Sequence, residues 1–254
     1  MCHPEVPAGT LLPNVEARRV TVRTSGEDMP ALLALPPGLP AAAMLVVNDI
    51  YGLTPFYEHL TRRLAQAGFV AVDPDFFFRQ PSLGSTPTRE QAQARRRKLD
   101  ELQLVADLGA TIDRLRAMPE VAGHEIGAIG FCLGGTCAMT LAAMRPDLAA
   151  AVSYYGFPVA STPGPLPEPL ELVPQMTVPL LAHCGELDEG VGLDAMKRFM
   201  AAVERHGVDA TTHLYPGLGH GFLARFLDEE ESPEHHDACV SWGRTLDFLR
   251  AKLG

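Results

Sequence analysis

Cys132 lies two residues after Gly130 and two before Gly134, in Gly130-Phe131-Cys132-Leu133-Gly134-Gly135. A sharp strand-to-helix turn holds its central residue in a strained backbone conformation. Side chains two places away on either side would collide there, so both positions want glycine. The spacing is that of a nucleophile elbow with a thiol at its apex. The bland alternative is a glycine-rich turn that holds a cysteine by chance. Two further residue types further along the chain favour chemistry. His220 sits between two glycines in Gly219-His220-Gly221, and Asp188 follows a short apolar run. A histidine in a loop can take a thiol proton, and a carboxylate can hold that imidazole in one tautomer. The thiolate is the reactive form of cysteine, and a neighbouring imidazole and a helix N-terminus both lower a thiol's pKa. Thiol, carboxylate and imidazole together suit attack on an acyl carbon.

These residues need elements to carry them, and the chain alternates strands and helices. Arg18 to Thr24 and Met29 to Leu35 read as a hairpin across Ser25-Gly26-Glu27-Asp28. Ala43 to Val47 is apolar throughout, as in a strand buried on both faces. A helix follows, with Thr54 as its cap, Pro55 in the first turn, and Phe56, Leu60 and Leu64 on one face. Strands are expected at Phe69 to Val72, from Ile126 into the elbow, at Ala149 to Tyr155, at Leu180 to Cys184 and at Ala210 to Tyr215. Between them, Thr88 to about Met118 reads as helical, as do Thr136 to Met144 and Ala195 to Arg205. A last helix carries Trp242, Leu246, Leu249 and Leu253. The basic run Arg95 to Lys98 reads as a solvated helix face. Proline-rich residues 157 to 179 read as a surface excursion passing near the site. The expected fold is α/β: a mostly parallel, twisted sheet of about seven to eight strands covered by helices on both faces. Loops at the carboxyl ends of such strands carry the chemistry. Asp49, Cys132, Asp188 and His220 all fall in such loops. The order nucleophile, acid, histidine is that of α/β-hydrolases. Their oxyanion hole would use the backbone N–H of Leu133 and that of Ile50, after the strand at 43–47.

Bulk properties narrow the function further. One domain is expected over residues 1–254, with 1–15 an irregular arm. Acidic residues outnumber basic ones 31 to 21, a formal charge of −10, which disfavours nucleic acid and anionic membranes as partners. No apolar run approaches membrane-spanning length, and the N-terminus lacks a signal-peptide layout. Five cysteines with no paired spacing point to a reducing, cytoplasmic setting. Cys2 and His3 alone make a poor metal site, so neither metal nor cofactor is expected. His59, His206 and His235 fall on helical segments and read as surface residues.

The chain resembles the dienelactone hydrolases (carboxymethylenebutenolidases) from about Leu45 to its C-terminus. The resemblance rests on Asn-Asp-Ile-Tyr-Gly at 48–52, Arg-Glu-Gln-Ala at 89–92 and Gly-Phe-Cys-Leu-Gly-Gly at 130–135. It continues through Tyr-Tyr-Gly at 154–156, Gly-Glu-Leu-Asp at 185–188 and Gly-His-Gly-Phe at 219–222. It implies a triad of Cys132, Asp188 and His220, an acyl-cysteine intermediate, and a small ester or lactone substrate bearing a carboxylate. Arg89 and Arg225 then become candidates for holding that carboxylate, and Tyr155 another substrate-binding candidate. The family glutamate beside the oxyanion loop, understood to take the thiol proton when substrate binds, is matched by the shorter Asp49. Gln93 and Arg96 replace a family tyrosine and tryptophan, and Arg225 lies one residue beyond the family position. The reaction class therefore transfers better than the particular lactone. Alternatives are a broad carboxylesterase or thioesterase, and a non-catalytic binding or redox-sensing protein. A monomer or small homo-oligomer fits either enzyme reading.

Overall fold

Eight strands form a single sheet in the order β1-β2-β4-β3-β5-β6-β7-β8. The computed structural model describes residues 14–84, 86–159, 164–223 and 233–254. β1 (Ala17–Arg23) and β2 (Asp28–Ala34) make the expected hairpin, and β2 also pairs antiparallel with β4 (Val70–Pro74). From β4 onward every neighbour is parallel: β3 (Ala43–Val47), β5 (Ile126–Phe131), β6 (Ala150–Tyr154), β7 (Leu180–Gly185) and β8 (Ala210–Tyr215). β3 to β7 are buried along their whole length, which is why they read as continuous apolar runs.

The helices are α1 (Pro55–Gln66), α2 (Arg89–Arg96), α3 (Glu101–Arg116), α4 (Leu133–Met144), α5 (Pro169–Leu172), α6 (Leu193–His206) and α7 (Pro233–Leu253). A short 3₁₀ turn, Val173–Gln175, follows α5. Two glycines of β5 show that both faces of the sheet are covered. A Cβ on Gly127 would touch Leu253 of α7, and one on Gly130 would strike Gly134 of α4. Residues three apart on a strand point to opposite faces, so α7 and α4 lie on opposite sides.

Three local expectations are corrected. The helical stretch from 88 to about 118 is two helices, because the Asp100 side chain accepts the Gln103 N–H and starts α3 afresh. Thr54 occupies the N-cap of α1 but its side chain makes no capping bond there. The basic run is not wholly solvated: Arg97 and Lys98 are exposed, whereas Arg95 is only 8% exposed. The arm at 1–15 falls almost entirely outside the described residues. No helix among the described residues is long and apolar enough to cross a membrane.

Candidate active site

Parallel strands end together, so the loops after β3, β4, β5, β6, β7 and β8 gather at one edge of the sheet. Cys132 forms the turn between β5 and α4 with φ 56° and ψ −114°, a conformation side chains rarely adopt. It is held there by its neighbours. The Cys132 N–H donates to the Tyr154 carbonyl at 3.0 Å, and its carbonyl accepts the Thr136 N–H at 3.1 Å. The glycines permit this packing: a Cβ on Gly134 would lie 1.9 Å from the Val47 carbonyl oxygen, and one on Gly130 1.9 Å from that of Gly134. Cys132 is buried and stands at the N-cap of α4. Leu133, whose N–H was expected in the oxyanion hole, is the first residue of α4.

His220 and Asp188 meet across the loops after β8 and β7, with Nδ1 of the imidazole 2.7 Å from Oδ2 of the carboxylate. The other oxygen of Asp188 accepts the N–H groups of Gly190 and Val191, both at 3.0 Å. A wholly buried carboxylate is tolerable because its lone pairs are satisfied in this way. Two aromatic rings flank the imidazole, Tyr155 at 5.0 Å and Phe157 at 5.6 Å between centroids. Tyr155 is itself buried, with a positive φ of 41°, and its N–H donates to the His183 carbonyl at 2.7 Å. Phe157 is tied back to the elbow, its N–H donating to Thr136 Oγ1 at 2.9 Å.

The loop after β3 lies beside the N-terminus of α4, since the same Gly134 Cβ would also meet the Asn48 carbonyl oxygen at 2.7 Å. Asp49 is buried, and its Oδ1 accepts the Tyr51 N–H at 2.7 Å, the hydrogen bond of a loop-forming aspartate. Ile50 is buried in the same turn. Arg89 is the first residue of α2 and exposed, and Arg225 lies outside the described residues.

Three features escaped the sequence. Arg95 reaches from α2 into this loop, its Nη2 donating to the Ile50 carbonyl at 3.1 Å. Asp73 at the end of β4 accepts the Asn48 Nδ2–H at 2.8 Å, and burial pushes its pKa well above the usual carboxylate range. Behind the triad candidates, His183 Nδ1 pairs with the Tyr215 hydroxyl at 2.8 Å and Nε2 with Thr245 Oγ1 at 3.1 Å. Burial drives the His183 pKa well below the ordinary imidazole value, so the ring is neutral. The only available signal was a histidine inside an apolar strand, which must find partners somewhere. Cys137 and Cys184 are also buried, and desolvation raises both thiols to about 12, which leaves them inert. Among the described residues no cluster of His, Cys, Asp or Glu could hold a metal ion.

Comparison with known proteins assigns the chain to a family. A carboxymethylenebutenolidase from Rhodococcus opacus is 34% identical over 237 residues, covering 91% of this chain and 90% of the relative. A Bradyrhizobium protein assigned as a 2-oxo-3-(5-oxofuran-2-ylidene)propanoate lactonase is 31% identical over 241 residues, 92% of this chain and 94% of the relative. A Klebsiella pneumoniae crystal structure assigned to the dienelactone hydrolases superposes with a TM-score of 0.82 at 27% identity, covering 92% of this chain and 97% of that one. The model of the dienelactone hydrolase family matches residues 29–253, and the chain is a hydrolase belonging to that family.

Proposed function

We propose that the protein hydrolyses small, anionic esters or lactones through a covalent acyl-cysteine. The observation that carries this reading is the 2.7 Å bond between His220 and the buried Asp188, made at the same sheet edge as the strained Cys132. Asp188 accepts a hydrogen bond from the Nδ1–H of His220, which holds the tautomer that leaves Nε2 as the base. His220 removes the thiol proton, and the Cys132 sulfur attacks the substrate carbonyl. The N–H groups of Leu133 and Ile50 receive the developing oxyanion. The tetrahedral intermediate collapses, His220 returns the proton to the departing alkoxide, and the acyl group remains on sulfur. His220 then activates a water that attacks the thioester and frees Cys132. In this mechanism Asp49 shapes the loop through Tyr51, and no step requires it to take the thiol proton. Two relatives named for lactones of unsaturated acids support an anionic lactone as substrate. Arg89 then attracts the carboxylate from the exposed start of α2.

A broader esterase reading draws on Leu187, which is 64% exposed immediately before Asp188 and offers an apolar rim. One set of assays decides between them: carboxylate-bearing lactones, neutral aryl esters and thioesters, with wild type, Cys132→Ala and Arg89→Ala. Cys132→Ala should lose turnover on every substrate. Arg89→Ala should raise KM for the carboxylate-bearing lactones by about tenfold, the equivalent of about 1.4 kcal/mol, and leave neutral esters near wild type. Equal effects on both classes would remove the anionic part of the proposal. Hydrolysis by folded Cys132→Ala would remove the cysteine mechanism.

A further inference from the structure

We propose that Arg95 is a positioning residue that fixes the oxyanion loop from the α2 side, an inference that rests on the acyl-cysteine reading above. The peptide between Ile50 and Tyr51 is held at both of its polar ends. Its carbonyl accepts from Arg95 Nη2 at 3.1 Å, and its N–H donates to Asp49 Oδ1 at 2.7 Å. A peptide plane clamped in this way cannot rotate. The preceding plane, which carries the Ile50 N–H assigned to the oxyanion, is tied down by the Gly52 N–H donating to the Asp49 carbonyl at 3.1 Å, so both planes of the loop are fixed.

Arg95 is itself held by stacking and by its bond to the loop. Its guanidinium lies over the Phe77 ring at 4.0 Å from the centroid, and Phe77 is buried. Phe77 is fixed in turn by its N–H, which donates to Asp75 Oδ1 at 3.2 Å. Gly52, with φ +78°, leaves the space the guanidinium uses, because a Cβ there would stand 2.9 Å from Nη2. Burial lowers the Arg95 pKa, and the charges of Asp75 and Asp49 offset part of that desolvation. The result is a planar cation stacked on an aromatic face, with one edge on a backbone carbonyl and two carboxylates nearby. Lysine cannot reproduce that geometry, since it has neither the plane to stack nor the fork to reach sideways. Arg95 is also separate from the arginine that opens α2: Arg89 is exposed, whereas Arg95 is buried six residues later and points at the loop rather than at solvent.

A preorganised oxyanion donor acts on the transition state more than on bound substrate, so its loss lowers kcat and spares KM. The test compares wild type, Arg95→Met, Arg95→Lys and Cys132→Ala on an activated aryl ester. Rates are referred to the concentration of folded protein, measured by circular dichroism and size exclusion for every variant. Arg95→Met should lower kcat about 10- to 100-fold, somewhat less than removing a donor outright, with KM within about threefold of wild type. Arg95→Lys should recover less than half of that loss. Unchanged kcat in Arg95→Met, or a rise in KM alone, overturns the positioning role. So does full recovery by lysine, because charge alone would then suffice. If Arg95→Met does not fold, Arg95→Lys decides by itself: a kcat within twofold of wild type refutes the proposal. Activity in folded Cys132→Ala would instead refute the acyl-cysteine reading, which keeps the two failures apart.

Discussion

Asp73 illustrates how one carboxyl group can be forced into its neutral form. It is wholly buried at the end of β4, accepts a hydrogen bond from Asn48, and lies near the charges of Asp75 and Asp49. Desolvation is the largest cause of its raised pKa, and the two neighbouring carboxylates add to it. Asp73 Oδ2 and Asn48 Oδ1 are both buried without a hydrogen-bond partner among the described residues. A proton on Asp73 gives this buried carboxyl a donor in place of an uncompensated charge. The sign of the linked pH effect follows from comparing folded and unfolded chains. Above the ordinary carboxylate pKa the unfolded chain has released this proton, while the folded chain keeps it. Stability therefore falls as pH rises through that window, by about 1.4 kcal/mol per pH unit for one linked proton. Asp73→Asn removes the linkage. Urea unfolding at pH 5, 6 and 7 should show the variant gaining on wild type at each step. Parallel curves for the two proteins would mean that Asp73 is ionised in the fold.

The same scale shows why some residues were legible and others not. Cys132 was readable because its chemistry needs a local pattern, glycine two places away on each side, and the structure shows the collisions that those glycines avoid. Arg95 was not, because which arginine in a run of basic residues turns inward depends on Phe77 and Gly52, which are distant in sequence. Arg96 pairs instead with Glu101, at the start of the next helix. Asp73 stood in a strand-ending sequence that looked like a loop, so its burial was hidden.

At the scale of elements, α4 is the piece the site is built around. Its first turn wedges between the ends of β3 and β6. A Cβ on Gly134 would strike the Val47 carbonyl, and one on Gly135 would lie 2.6 Å from the Tyr154 oxygen. Neither contact is with a flexible side chain that could move aside. Gly134→Ala should therefore destabilise the fold by about 3 kcal/mol or more, with the residual folded protein inactive because the loop after β3 is displaced. Gly219→Ala provides the comparison: it also adjoins a triad candidate, but its Cβ would meet only the Leu187 oxygen, at an ordinary 3.7 Å. It should cost under about 1 kcal/mol. Similar urea midpoints for the two variants would contradict the wedge. Strand positions were legible because both-face burial forces continuous apolar runs. The division of the 88–118 stretch into α2 and α3 was missed because the helical pattern masked the Asp100 cap.

At the scale of the whole molecule, the acidic balance and the local basic helix act in opposite directions on an anionic substrate. A net charge of −10 repels such a substrate at a distance, and the exposed Arg89 at the start of α2 is the proposed source of local attraction. The sheet also carries the candidate thiol, imidazole and carboxylate to one edge from positions up to 88 residues apart, Cys132 to His220. Parallel pairing of β5 to β8 aligns the strand ends, and the rule that places chemistry at those ends picks out the loops holding Cys132, Asp188 and His220. The His183, Tyr215 and Thr245 network behind it joins β7, β8 and α7, and no spacing in the sequence announced that link.

If the acyl group passes through Cys132, the mass of the intact protein during turnover records it. An activated aryl ester is mixed with enzyme, quenched within the first turnover and weighed by mass spectrometry. The account predicts a gain of one acyl group per chain, mapped to the peptide holding Cys132, lost on further incubation and absent in Cys132→Ala. Turnover without that adduct in folded Cys132→Ala, or an acyl group on any other residue, would contradict it.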